Sequence, residues 1–205
     1  METKCPPATA SLRGKNPPPI VEAMFEVNRL KTLYRQGWLR TPVPRSQCES
    51  VAEHSFGVAV LSLFLADAFF PHLDRTKLLL LGLLHDFGEI YAGDIVPGKM
   101  SLADKHELER QSVERVFAKL PGGASYLAVW QEFEDQSTPE ARLSKEVDRL
   151  EMGVQAVVYE NACAAADLSD FLASTRRALS SPELHSFLDA LEALRPSPQS
   201  ASADS

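Results

Sequence analysis

Disulfide chemistry has almost nothing to work with in this chain. Its 205 residues include three cysteines, Cys5, Cys48 and Cys163. They lie far apart and form no C-x-x-C pair, which excludes a disulfide framework and fits a reducing compartment. Positive charge is also short. The 21 Lys and Arg against 28 Asp and Glu leave a net charge of −7. A field of that sign opposes non-specific binding to nucleic acid or to an anionic membrane, so neither is expected as a partner. An anionic substrate stays open, because a metal ion or a local arginine inverts the field inside one cleft. Long apolar runs are missing as well. The longest, Phe56 to Phe70, contains Ser62 and Asp67 and is shorter than the ~20 residues of a membrane span. Met1 to Pro19 is polar and proline-rich, without the apolar segment of a secretion signal, so a cytoplasmic setting is expected. No stretch alternates with period two, and no internal repeat is evident. The 27 leucines and 24 alanines outnumber the 14 valines, 3 isoleucines and 7 threonines. That balance predicts an all-α fold, and the length suits one domain.

What the chain does have is a succession of helix signals. Residues 1–18 read as a flexible arm, 19–194 as the folded domain and 195–205 as a disordered tail. Pro19 opens a helix expected to reach Arg35, with Ile20, Met24, Val27 and Leu30 on its apolar face. Ser50 and Glu53 form a capping box before a helix that is apolar nearly all round, and Pro71 stops it. Asp74 caps a third helix, expected to continue through the His85-Asp86 pair to Ala92. Pro97 and Gly98 break the chain, and Ser101 opens a charged helix to about Leu120. A short helix is expected from Ala124 to Gln136. Thr138-Pro139 starts a long one, to about Ala165, with Leu143, Val147, Leu150, Val154 and Val157 on one face. Two more, near 168–179 and 182–194, close the chain.

Three of these helices carry a polar residue where the pattern is apolar. His85-Asp86 follows Leu78 to Leu84 directly, and burying such groups is costly unless they are bonded. Glu89 lies three and four residues further on, on the same side of a helix. His54 sits one turn into its helix, and Asp148 stands between Val147 and Leu150. Facing helices of a bundle can gather metal ligands in this way.

The order His54, His85-Asp86, Asp148 is similar to the signature of HD-domain metal-dependent phosphohydrolases. With H-D-x-x-E (85–89), G-D-I-x-P (93–97) and the flanking stretches YRQGWLR (34–40) and DKHELER (104–110), the chain resembles the nucleoside 5′-monophosphatases of that superfamily over about 30 to 165. The resemblance implies a helical HD bundle that hydrolyses (deoxy)nucleoside 5′-monophosphates. It implies His54, His85, Asp86 and Asp148 as ligands of one divalent ion, for which Mn, Co, Fe, Ni or Zn suits two imidazoles and two carboxylates. His72, His106 and His185 look unrelated to the site. Glu89 would orient water or take its proton. Asp94 would serve as proton donor to the leaving oxygen or as acceptor from a sugar hydroxyl. Arg35 would hold phosphate, with Arg40 as its substitute, and Trp38 would offer a flat surface to sugar or base. Lys105 and Arg110 read equally as phosphate contacts or as surface charges.

Two other functions remain open at this stage: a nucleoside triphosphate phosphohydrolase using the same ligands, and a non-catalytic nucleotide-binding regulatory module. Basic residues beyond Arg35 and Arg40 would favour the triphosphate reading, whereas the presence of Glu89 and Asp94 argues against the module. A homodimer is expected, with an apolar helix face such as that of 138–165 available to serve it.

Overall fold

The computed structural model describes residues 1–96, 98–163 and 165–196. It is all-α, as expected. Among the described residues extended pairing is limited to two isolated bridges, Thr3 with Leu33 and Tyr34 with Ser50. Helix α1 spans Pro19–Val27 and passes into a 3-10 turn at Asn28–Lys31, well short of Arg35. Of the expected apolar face of α1, Val27 and Leu30 pack against the core, and the rest is corrected. Ile20 and Met24 are exposed, and Ala23, Glu26 and Leu30 point inward. The buried Glu26 carboxylate is neutralised by Lys119 Nζ at 2.8 Å.

Helix α2 (Val51–Phe69) begins at the Ser50–Glu53 capping box, with both of its hydrogen bonds present. Its length and composition would suit a membrane span. Val58, Leu65 and Ala66 are instead buried in the protein core, and the helix packs between α3 (Arg75–Leu84) and α7 (Pro139–Ala162). Asp74 caps α3 by accepting from the Thr76 and Lys77 backbone N–H groups at 2.8 and 3.1 Å. A Cβ at Gly82 would stand 2.7 Å from Ala59 Cα. Glycine there is what lets α2 and α3 touch backbone to backbone.

The helix expected to run through His85 does not. A 3-10 stretch, His85–Gly88, intervenes before the single turn α4 (Glu89–Ala92). Helices α5 (Leu102–Phe117), α6 (Gly123–Asp135), α8 (Ser169–Ala178) and α9 (Pro182–Glu192) complete the bundle.

Two large apolar clusters fill most of it, with a small third one at Leu81, Phe133 and Ala141. One joins Val58, Leu78, Leu150, Leu172 and Leu188; the other joins Val51, Leu84, Val113, Phe117 and Trp130. On α2, His54 lies between Val51 of the second cluster and Val58 of the first, so the polar site occupies the seam between two cores. The face of α7 expected to serve a dimer is core: Leu143, Val147, Leu150 and Val157 are all buried.

The expected N-terminal arm is anchored to the body. Lys4 N–H donates to Thr32 O at 2.6 Å, Lys4 Nζ pairs with Glu53 at 2.8 Å, and Ala8–Leu12 form a 3-10 turn. The expected tail starts with an anchored residue as well, since Arg195 donates to the buried Glu160 carboxylate at 2.7 Å. Residues 197–205 of that tail lie outside the described residues.

Candidate metal centre

His54 is fully buried on α2, and its Nε2 lies 3.1 Å from Asp148 Oδ1 on α7 and 3.9 Å from Asp86 Oδ2. His85 opens the 3-10 stretch after α3. Its Nδ1–H donates to Gly82 O at 2.9 Å, which fixes the tautomer and turns Nε2 inward. That Nε2 is 3.3 Å from Asp86 Oδ2, yet among the described residues it makes no hydrogen bond. The two imidazole centroids are 5.4 Å apart. The sequence-predicted ligands His54, His85, Asp86 and Asp148 therefore come together. An unpartnered buried imidazole nitrogen facing carboxylates fits a divalent first-row ion, because buried polar atoms are otherwise paired.

Electrostatics point the same way. Burial and Arg35 push the His54 pKa down, but hydrogen bonds and charge from Asp148 and Glu151 outweigh them and raise it to about 10. Burial would raise Asp148 and Asp86; the imidazoles beside them, with Arg149 and Arg35, hold both carboxyls well below the usual range. A cluster that attracts a proton so strongly without an ion will attract an ion in its place.

Glu89 stands beside this cluster on α4, 3% exposed, and its Oε2 has no hydrogen-bond partner among the described residues. Burial, then the charges of Asp86 and Asp94, push its carboxyl well above the ordinary range, with Arg35 and Lys105 opposing. Arg35 reaches in from the loop after the 3-10 turn at Asn28–Lys31. Its Nη1 is 3.5 Å from Asp86 Oδ2 and 3.9 Å from Glu89 Oε1. Asp94 follows the turn at Gly93, and its Oδ2 accepts the Gln36 backbone N–H at 2.6 Å. Asp94 thus ties down the loop that carries Arg35.

Arg35, His85, Asp86, Glu89, Asp94 and Asp148 line a cavity of about 860 Å³, and His54 is buried behind them. Arg40 is at its exposed rim. Lys105, which the sequence left undecided, lines it, 3.1 Å from Glu109 and within the field of Glu89 and Asp86. Arg110 is a surface charge paired with Glu107 and Glu114. His106 also lines the cavity, stacked on Trp130 with centroids 5.5 Å apart, so it belongs to the site's wall.

Trp38 corrects its sequence reading. It is 2% exposed, Phe171 of α8 stacks on it at 4.4 Å, and its Nε1–H donates to Glu49 at 2.8 Å. The partly exposed aromatic at this wall is Phe171. We expect Trp38→Ala to lower stability by about 3–5 kcal/mol, the usual cost of emptying a large aromatic's site. Chemical denaturation checks it, and a loss under 1 kcal/mol would show the indole to be loosely held.

Sequence reasoning missed Glu151, which accepts from His54 Nδ1–H at 2.5 Å, and Glu49, which approaches the same pair. Neither is singled out by the sequence pattern. The available signal was spacing: Glu151 lies three residues after Asp148, on the same face of one helix.

The sequence profile of the HD domain matches residues 27–185. The chain is 33% identical over 199 residues to the 5′-deoxynucleotidase HDDC2 of Bos taurus, an alignment covering 95% of this chain and 94% of that one. Among solved structures, a Pyrococcus horikoshii protein superposes with a TM-score of 0.71 at 31% identity, covering 85% of this chain and 99% of its own. A Magnetospirillum magnetotacticum protein described as a predicted metal-dependent phosphohydrolase superposes with a TM-score of 0.65 at 29% identity, covering 85% and 90%.

Proposed function

The chain belongs to the HD-domain family, and on that premise we propose that it is a metal-dependent phosphomonoesterase hydrolysing (deoxy)nucleoside 5′-monophosphates to nucleoside and phosphate. The observation that carries this reading is the unpartnered His85 Nε2, facing Asp86 in a cavity that Asp148 and the buried Glu89 also line, with His54 fully buried behind Asp148. The relatives named 5′-deoxynucleotidase supply the substrate class.

In this reading His54, His85, Asp86 and Asp148 hold one divalent ion, with Mn, Co, Fe, Ni or Zn suited to the donor set. Such an ion supplies positive charge for the phosphoryl oxygens and lowers the pKa of water toward neutrality. The chain's own residues do the rest. Arg35, already among the acidic groups, turns a guanidinium edge to a phosphate, which a planar fork can hold by two hydrogen bonds. Glu89 takes the proton of the attacking water; a carboxyl whose pKa is pushed upward is a better base than an ordinary one. Asp94 keeps the Arg35 loop in place and offers a carboxylate toward the sugar side. Phe171 and its neighbours on α8 close the wall around the nucleoside.

A second reading has an observation in its favour. Lys105, Lys145 and Arg149 line the same cavity, giving basic groups beyond Arg35 and Arg40 that a triphosphate would use. One experiment tests both: phosphate and tripolyphosphate release from nucleoside mono-, di- and triphosphates, on metal-stripped protein with each divalent ion restored. Release from monophosphates alone supports the first reading, and tripolyphosphate release establishes the second. No release from any substrate with any ion overturns both in favour of a binding module.

Metal affinity should fall as pH falls. His54, with its pKa at about 10 in the ion-free site, carries a proton at neutral pH that an ion must displace. The two aspartates are held low and contribute none. Mass action then gives about a tenfold weaker apparent affinity per pH unit below neutrality for the one proton released. Calorimetric titration at pH 6, 7 and 8 measures it; an affinity independent of pH would remove His54 from the ligand set.

A further inference from the structure

The two imidazoles at the site are anchored differently. His85 Nδ1–H meets a backbone carbonyl, Gly82 O, at 2.9 Å. His54 Nδ1–H meets a carboxylate, Glu151 Oε2, at 2.5 Å. Glu151 is buried on α7, one turn beyond Asp148, so one helix presents a carboxylate to each side of the same ring: Asp148 to Nε2 and Glu151 to Nδ1. Glu49 comes near the same pair, but its Oε1 is committed to the Trp38 indole N–H.

A second observation, independent of that hydrogen bond, concerns the space Glu151 occupies. A Cβ at Gly57 on α2 would stand 2.4 Å from Glu151 Oε1 and 3.0 Å from its Cδ. Gly57 sits inside a long helix, where glycine is less favourable than alanine. It is three residues after His54, on the face turned to α7. The helix accepts a poor residue at the one place where a carboxylate must lie between it and α7.

We propose that Glu151 is a positioning residue: it holds His54 in the Nδ1–H form with Nε2 aimed at the ion, and Gly57 provides the room for its carboxylate. The inference rests on His54 being a ligand, as in the reading above. Physically, an anchored ring loses no rotamer freedom on binding, and a carboxylate behind the N–H increases electron density at the opposite nitrogen. Glu151 does not line the cavity and lies on the Nδ1 side of the ring, opposite Asp148, so in this proposal it acts through His54.

The test uses the metal-stripped full-length protein. Cobalt(II) is titrated by its visible absorption, and the imidazole nitrogens of the zinc-loaded protein are assigned by 15N NMR. Glu151→Ala is expected to weaken cobalt affinity about 10- to 100-fold, the usual effect of losing such a partner. Glu151→Gln, whose amide oxygen still accepts from Nδ1–H, is expected to recover most of that loss. Gly57→Ala should weaken binding with Glu151 present, because the methyl displaces the carboxylate. A merely structural role would leave the absorption spectrum and the tautomer unchanged.

A folded Glu151→Ala that binds cobalt within threefold of the parent overturns the proposal. So does a zinc-loaded parent whose His54 carries its proton on Nε2, a result that does not depend on any variant folding. A parent that binds neither ion overturns the metal reading itself. A parent that binds with indifference to residue 151 overturns only the positioning role.

Discussion

Asp148→Ala should lose bound metal and phosphatase activity together. Asp148 is 7% exposed, 3.1 Å from His54 Nε2, and its carboxyl is held well below the usual range by the imidazoles despite its burial. Removing it takes away the carboxylate at His54 Nε2 and leaves that ring hydrogen-bonded to Glu151 only, with Asp86 3.9 Å away. Breaking one partner of a buried charged group costs about 3–5 kcal/mol, which in metal affinity amounts to roughly two to four decades. Metal content after dialysis, by elemental analysis, should fall to background, and turnover should fall with it. Full occupancy in the variant would take Asp148 out of the site. Low turnover with full occupancy would move it from ligand to reaction partner.

The opposite pattern is expected of Glu89→Gln: metal retained, turnover lost. Glu89 stands beside the candidate ligands with its Oε2 unpaired, and its carboxyl, pushed upward by burial and by Asp86 and Asp94, binds a proton more tightly than an ordinary carboxylate. An amide keeps the shape and cannot accept the proton. General acid–base groups contribute about 100- to 10,000-fold, so kcat should drop by that factor with little change in KM. The variant also tests the binding-module alternative, since a module would not suffer from it. A rate within a few-fold of the parent would assign the proton transfer to another group, with Asp94 the nearest remaining carboxylate on the loop side.

Local signals were the most legible part of the sequence. Ser50–Glu53, Asp74, Ser101 and Thr138-Pro139 begin helices at the expected positions, because a cap is a short-range hydrogen bond that the residue types themselves specify. The residues that gather at the candidate metal centre were legible because a His or Asp beside an apolar run has few reasons to be there. What was not legible depended on tertiary packing. The break at His85–Gly88 has no proline or cap to announce it; the tighter turn appears where α5, α6 and the H-D pair must all be accommodated. Trp38 read as an open surface because nothing local records that Phe171, far along the chain, will cover it. Glu151 carried no signal of its own because its partner His54 is 97 residues away. The face of α1 was partly misassigned for the same reason: Glu26 is inside only because Lys119 comes to meet it.

The backbone contact between α2 and α3 at Ala59 and Gly82 reaches beyond core packing. His54 lies five residues before Ala59 and His85 three after Gly82, so the spacing of the two imidazoles is inherited from how closely these helices cross. Ionic radius then becomes a property of the hydrophobic core. A methyl at position 82 would wedge the helices apart, enlarge the gap between the rings, and shift preference from smaller ions such as zinc toward larger ones such as manganese, with every donor residue unchanged.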